Sequence, residues 1–204
     1  RNFSIFFSRH TVAMFAVVIG SLQSAVAQND LFRRENLVAW CIVPFDSQQR
    51  TPEQRADMLV KLGIHQLAYD YRAEHIPSFD EELEQLKKHQ IKLLAWWFPT
   101  QLNDEAKLIL DVIARHQLQT QLWVTGGGAA TKSPEDQMAR VAAEAERIRP
   151  IAEAAAKIGC SVGLYNHGGW FGEPENQLAI IEYLKLPNVG IVYNQHHGHE
   201  HVER

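Results

Sequence analysis

Short apolar segments alternate with amphipathic ones along most of the chain, and that alternation leaves few folds open. Apolar runs rich in Val, Ile, Leu and Trp occupy residues 37–43, 65–69, 92–96, 121–124, 161–165 and 189–193. Each is too short for a helix of ordinary length and reads as a buried strand. The segments between them carry helix signals. Thr51-Pro52-Glu53-Gln54 supplies an N-cap, a proline at the first helical position and a capping-box glutamine, and Gly63 closes that helix. Ser78 followed by Glu81 repeats the capping box and predicts a helix over 78–89. Leu108, Ile109, Val112 and Ile113 recur at three-to-four spacing within 103–116. Further helices are predicted over 133–158 and 173–184, with Pro150 expected to kink or split the longer one. Strands that recur every ~26 to 41 residues with helices between them are parallel strands joined by crossovers.

Two α/β architectures satisfy that pattern, a doubly wound sheet and a (β/α)8 TIM barrel. A barrel needs eight units and about 250 residues. These 204 residues hold five complete units and a sixth strand, so the expectation is an incomplete barrel with about six of eight strands. Polar or aromatic residues follow every strand: Pro44 to Asp46, Asp70 to His75, Trp97 to Pro99, Thr125 to Gly127, Asn166-His167 and Asn194 to His197. A barrel gathers all such ends around one axis, whereas a doubly wound sheet uses mainly those at its switch point.

Residues 1–27 read as a secretory signal peptide. Arg1, Arg9 and His10 make its basic end, residues 11–19 its apolar core, and Ala25-Val26-Ala27 its cleavage site before Gln28. The apolar run is shorter than the roughly 20 residues that span a bilayer. The expectation is a periplasmic or secreted domain over 28–204, with no stable membrane span once the signal is cut after Ala27. Cleavage removes two arginines and no acids, leaving 18 basic against 24 acidic residues and a net charge of −6. No basic stripe is visible, which argues against a nucleic-acid partner. Cys41 and Cys160 sit in apolar segments and read as small buried hydrophobes rather than a disulfide.

The richest chemistry closes the last two strands. One runs into Leu164-Tyr165-Asn166-His167-Gly168-Gly169, and the other into Tyr193-Asn194-Gln195-His196-His197, followed by His199 and His201. In these segments the chain resembles the xylose isomerase-like TIM barrels, a superfamily of sugar isomerases and epimerases that also includes a DNA-repair endonuclease branch. The first segment is similar to that family's L-E-N-H-x-G motif and the second to its D-x-x-H motif, with His197 at the histidine. The resemblance spans about residues 37–201. It implies metal-binding carboxylates on both strands, but Tyr165 and Asn194 stand at those positions. It also implies further ligands on a seventh and an eighth strand, which these 204 residues do not contain.

The candidate site follows from these readings. His167, Asn194 and His197 are the expected metal contacts, for a divalent ion such as Mn, Co, Zn or Mg. Glu74 and His75 are the proton-transfer candidates, since both lie in the loop after the second strand. Arg72, Trp97, Asn166 and Trp170 are expected to bind a small carbohydrate, the arginine through its fork of donors and the tryptophans by stacking. Trp96 and Trp97 are adjacent on one strand, so only one of them can face inward. The expected activity is that of an exported sugar isomerase or epimerase, acting by metal-assisted proton transfer next to a carbonyl. The alternatives are a sugar lyase of the same fold and a carbohydrate-binding relative that has lost its metal. No nucleophile elbow or phosphate-binding glycine loop is present.

Overall fold

The computed structural model describes residues 33–198. The expected signal peptide over 1–27 and the imidazoles His199 and His201 lie outside the described residues. Five parallel strands, β1 Gln66–Tyr69, β2 Lys92–Phe98, β3 Gln121–Val124, β4 Ser161–Tyr165 and β5 Val189–Val192, pair strictly in chain order. A doubly wound sheet would reverse its order at a switch point. The sequential order of this sheet is that of a barrel wall. Helices α1 Pro52–Leu62, α2 Phe79–Lys88, α3 Asp104–Arg115 and α4 Pro134–Lys157 fill the connections, followed by a single turn α5 Gly169–Gly172 and by α6 Pro174–Leu184.

The first apolar run does not form the expected strand over 37–43. It touches the sheet through one parallel bridge, in which Ala39 N–H donates to Gln66 O at 2.8 Å and Ala68 N–H to Ala39 O at 2.8 Å. Two residues later Cys41 takes φ 56°, a left-handed conformation that ends any extended run.

The helix starts vary in how closely they follow their sequence signals. Thr51 and Gln54 form the full capping box, and Asn103 and Ser133 cap α3 and α4 with their side chains. Ser78 does not cap α2. Its hydroxyl donates to His75 O at 2.9 Å, because a 3-10 turn over Ala73–Ser78 leads straight into the helix. Helix α4 runs unbroken through Pro150. Pro150 and Glu146, the residue whose carbonyl loses its donor, are both exposed, so water can satisfy that carbonyl.

The core lies between the sheet and its helices. Ile109 and Ile113 of α3 and Ile148 and Ala152 of α4 are wholly buried against Leu122, Val162 and Leu164. Strand alternation separates the two tryptophans of β2. Trp96 turns to the helices and meets Phe79 edge-on at 4.9 Å, while Trp97 turns inward to Trp123 and Tyr165. Gly163 is required by close approach, since a Cβ there would lie 2.5 Å from Val192 Cγ2. Among the described residues no helix is long and apolar enough to cross a membrane.

Candidate active site

A cleft of about 470 Å3 opens at the carboxyl ends of the strands. Trp40 and Cys41 line it from the first run and Phe45 from the turn after it, Asp70, Tyr71 and Arg72 from the end of β1, and Trp97, Phe98 and Pro99 from the end of β2. His167, His196 and His197 complete the wall from the ends of β4 and β5. The floor is aromatic. Trp97 lies 4.7 Å from Tyr165 between ring centroids, and Trp123 stacks on Tyr165 at 5.3 Å.

His167 and His197 meet edge-to-face with ring centroids 4.5 Å apart, and His196 lies 5.1 Å from His197. Partial burial holds the His197 imidazole below its usual pKa, with the neighbouring His167 and His196 acting in the same sense. It is therefore neutral, a proton acceptor, at neutral pH.

The loop carrying His196 and His197 is set by Asn166. This residue is buried, and its amide grips one backbone unit from both sides. Asn194 N–H donates to Asn166 Oδ1 at 2.7 Å, and Asn166 Nδ2 donates to Asn194 O at 3.1 Å. Both polar atoms are used, so Asn166 positions the imidazole loop and is not placed to bind substrate.

The other expected residues divide in the same way. Arg72 lines the cleft, exposed at its rim, with Nη1 donating to Tyr71 O at 2.7 Å. Glu74 and His75 sit on the 3-10 turn outside the cleft lining, and His75 Nδ1 accepts the Arg72 backbone N–H at 2.9 Å. Trp170 is also elsewhere. Its indole N–H donates to Gln137 Oε1 at 2.7 Å, and Arg140 covers its ring at 5.3 Å. The reason is the left-handed turn at Gly168 and Gly169, which carries the chain away from the cleft into α5.

Among the cleft residues left out of the expected site are Cys41, read there as a core hydrophobe, and Asp70, noted there only as a polar strand end. Asp70 is 3% exposed, and Cys41 is half-buried beside it rather than in the core. Burial raises the Asp70 carboxyl to about 6, although Cys41, the backbone N–H groups of Asp70 and Val43, and the charge of Arg72 all pull it down. Burial and the neighbouring Asp70 push the Cys41 thiol up to about 11, so it is no thiolate nucleophile at neutral pH. The period-2 alternation of β1 was the available signal for Asp70, because it sets residues 68 and 70 on the inner face. No comparable signal marks Cys41.

The donor chemistry does not fit a resident divalent ion held by carboxylates. Tyr165 and Asn194, at the two positions where carboxylates were expected, engage each other: Asn194 Nδ2 donates to Tyr165 Oη at 2.6 Å. Asn194 Oδ1 is taken by the His196 N–H at 2.8 Å. Among the described residues no three His, Cys, Asp or Glu side chains converge as a ligand group.

No family profile matches the sequence, and no curated protein matches it. Solved structures do. The chain superposes on a probable 3-DHS dehydratase from Bacillus anthracis with TM-score 0.58 and 17% identity, covering 78% of this chain and 63% of that one. On the 3-keto-D-glucoside 4-epimerase of E. coli it reaches 0.62 at 13% identity, covering 84% and 72%. A xylose isomerase domain protein from Alicyclobacillus acidocaldarius gives 0.54 at 15% identity, covering 78% and 63%. The chain thus spans between 63% and 72% of the length of these proteins. With five strands in sequential parallel order and these neighbours, the chain has the fold of the xylose isomerase-like TIM barrels, in incomplete form.

Proposed function

We propose that the protein acts on a carbohydrate by moving a proton at a carbon next to a carbonyl, the chemistry of sugar isomerases and epimerases. The observation that carries this reading is the pair of imidazoles, His167 and His197, packed edge-to-face with centroids 4.5 Å apart on one wall of an aromatic-floored cleft at the strand ends. One imidazole removes the proton from the carbon and leaves an enediolate. The proton then returns to the neighbouring carbon while the hydroxyl proton passes from one enediol oxygen to the other, which isomerises the sugar; return to the opposite face of the same carbon, which epimerises it, takes a donor on the other side of the sugar. Trp97 offers its ring to an apolar sugar face, and Arg72 offers donors at the rim. One of the solved neighbours, the 3-keto-D-glucoside 4-epimerase, acts on a sugar by name.

The direct test is exchange in deuterated water. Purified protein incubated with aldoses and ketoses is expected to place deuterium next to the carbonyl, read by NMR, and His197→Ala is expected to slow this at least 100-fold. Absence of exchange across the panel would sink the isomerase reading. A second reading, carbohydrate binding without turnover, is favoured by the mutual engagement of Tyr165 and Asn194 in place of two carboxylates.

Of the expected metal contacts, His167 and His197 are the two among the described residues left to hold a divalent ion, and imidazole suits Zn or Co better than Mg or Mn. Calorimetric titration is expected to show weak Zn binding that His197→Ala removes, and no heat from Mg. The protein is proposed to act after export, with its mature form starting at Gln28, which intact mass of the secreted protein checks.

A further inference from the structure

Three buried polar atoms of the cleft residues have no hydrogen-bond partner among the described residues: Asp70 Oδ1, Trp40 Nε1 and Trp97 Nε1. Other unpartnered atoms, such as Tyr69 Oη and Trp96 Nε1, lie in the layer between sheet and helices. The cleft set is different in kind, because it combines one acceptor with two donors around a single opening. A buried carboxylate oxygen without a donor is costly, and such an arrangement is kept where something repays it.

The local backbone points the same way. Cys41 is not glycine, yet it holds φ 56° beside Asp70. Strained positions of this sort cluster at ligand sites, where the surrounding structure enforces them. Here it sets Cys41 beside the Asp70 carboxyl in the lining of the cleft. Asp70 Oδ1 has no hydrogen-bond partner. Phe45, 72% exposed, stands at the mouth of the same opening.

We propose that Asp70, with the indole N–H groups of Trp40 and Trp97, forms a hydroxyl-recognition subsite of the cleft, in which the carboxyl turns outward to accept a hydrogen bond from a sugar hydroxyl. A hydroxyl is the ligand group that suits all three atoms. It donates to the carboxyl oxygen and accepts from an indole, and adjacent hydroxyls on one ring do both at once. A carboxylate or phosphate placed at Asp70 would meet its charge instead. The ligand class is therefore an uncharged polyhydroxyl compound whose vicinal hydroxyls meet Asp70, Trp40 and Trp97 in the cleft that the imidazoles also line. Asp70 is a binding and specificity residue in this scheme, and Cys41 is a positioning residue for it. The assignment rests on the carbohydrate reading given above.

The test is a tryptophan-fluorescence titration of the whole chain with D-fructose, D-xylose and myo-inositol. At least one is expected to give a saturable change in the wild-type protein. Asp70→Asn keeps the shape but replaces the acceptor oxygen pair by an amide, and is expected to weaken that binding at least tenfold with its thermal transition intact. Should that variant fail to fold, Trp40→Phe and Trp97→Phe report on the same subsite, and each is expected to weaken binding about fivefold. A wild-type protein that binds none of the three probes overturns the proposal. So does equal affinity in Asp70→Asn, or, if that variant is unfolded, equal affinity in both Phe variants. Deuterium exchange separates the two readings. Binding that needs Asp70 without any exchange leaves the subsite standing and removes the isomerase. Exchange with binding indifferent to Asp70 does the reverse.

Discussion

Asn166 and Asp70 show how one side chain governs a site without carrying out its chemistry. Asn166→Ala would remove both grips on Asn194 and leave a backbone N–H near the interior without its partner. The expected loss is about 1–3 kcal/mol of stability, measured by urea unfolding, together with weaker sugar binding as the imidazole loop loosens. Asp70 gives a signed pH effect. Its carboxyl ionises near 6 in the folded protein and near 3.9 in an unfolded chain. Its contribution is therefore complete below about pH 4 and is lost as pH rises through 6. Cys41 and Arg72 are the titratable and charged groups facing it. Asp70→Asn is expected to gain about 2 kcal/mol on the wild type between pH 4 and pH 7.5, read as the difference in urea midpoints at the two pH values. An unchanged difference would mean that the carboxyl is more hydrated than its burial implies.

At the scale of elements, a buried ion pair joins α1 to α2. Arg55 Nη2 donates to Glu82 Oε2 at 2.8 Å and Arg55 Nε to Oε1 at 3.1 Å, with both side chains at most 2% exposed. Removing one partner strands a charge, so Glu82→Leu is expected to cost about 3–5 kcal/mol, whereas Arg55→Met combined with Glu82→Leu should recover most of it. Chemical denaturation of the three variants checks the cycle. Most elements here were legible in the sequence, because helix caps and apolar spacing act locally. Thr51 caps as its sequence predicts, and α3 and α4 begin within one residue of the predicted starts at 103 and 133. The failures are places where something beyond the local pattern decides. Ser78 lost its cap to a preceding 3-10 turn, and the run over 37–43 shrank to a bridge because Cys41 turned left-handed. The site was less legible for the same reason. The His167 and His197 pair follows from two strand ends lying side by side, but the direction of Trp170 and the placement of Glu74 depend on turns that carry no periodic signal.

For the whole molecule, the sheet settles the choice between the two architectures through the order of its strands. It also leaves β5 paired on one side only among the described residues. Val189–Val192 thus presents an unpaired edge, and exposed strand edges invite pairing with other chains. Association that grows with concentration is expected in sedimentation velocity, and Ile191→Lys should reduce it. A chain that stays monomeric at 100 μM would contradict this.

The sequential strand order has a consequence for how the chain comes to its shape. Each strand pairs with the one synthesised a single crossover earlier, so every pairing closes a loop of similar, modest size, and the entropy of closure grows only with the logarithm of that size. Contacts of this kind allow the wall to assemble by accretion, one unit at a time, as the polypeptide emerges. The last unit to arrive is the one that brings His196 and His197, so the cleft would be the final part of the described protein to be completed.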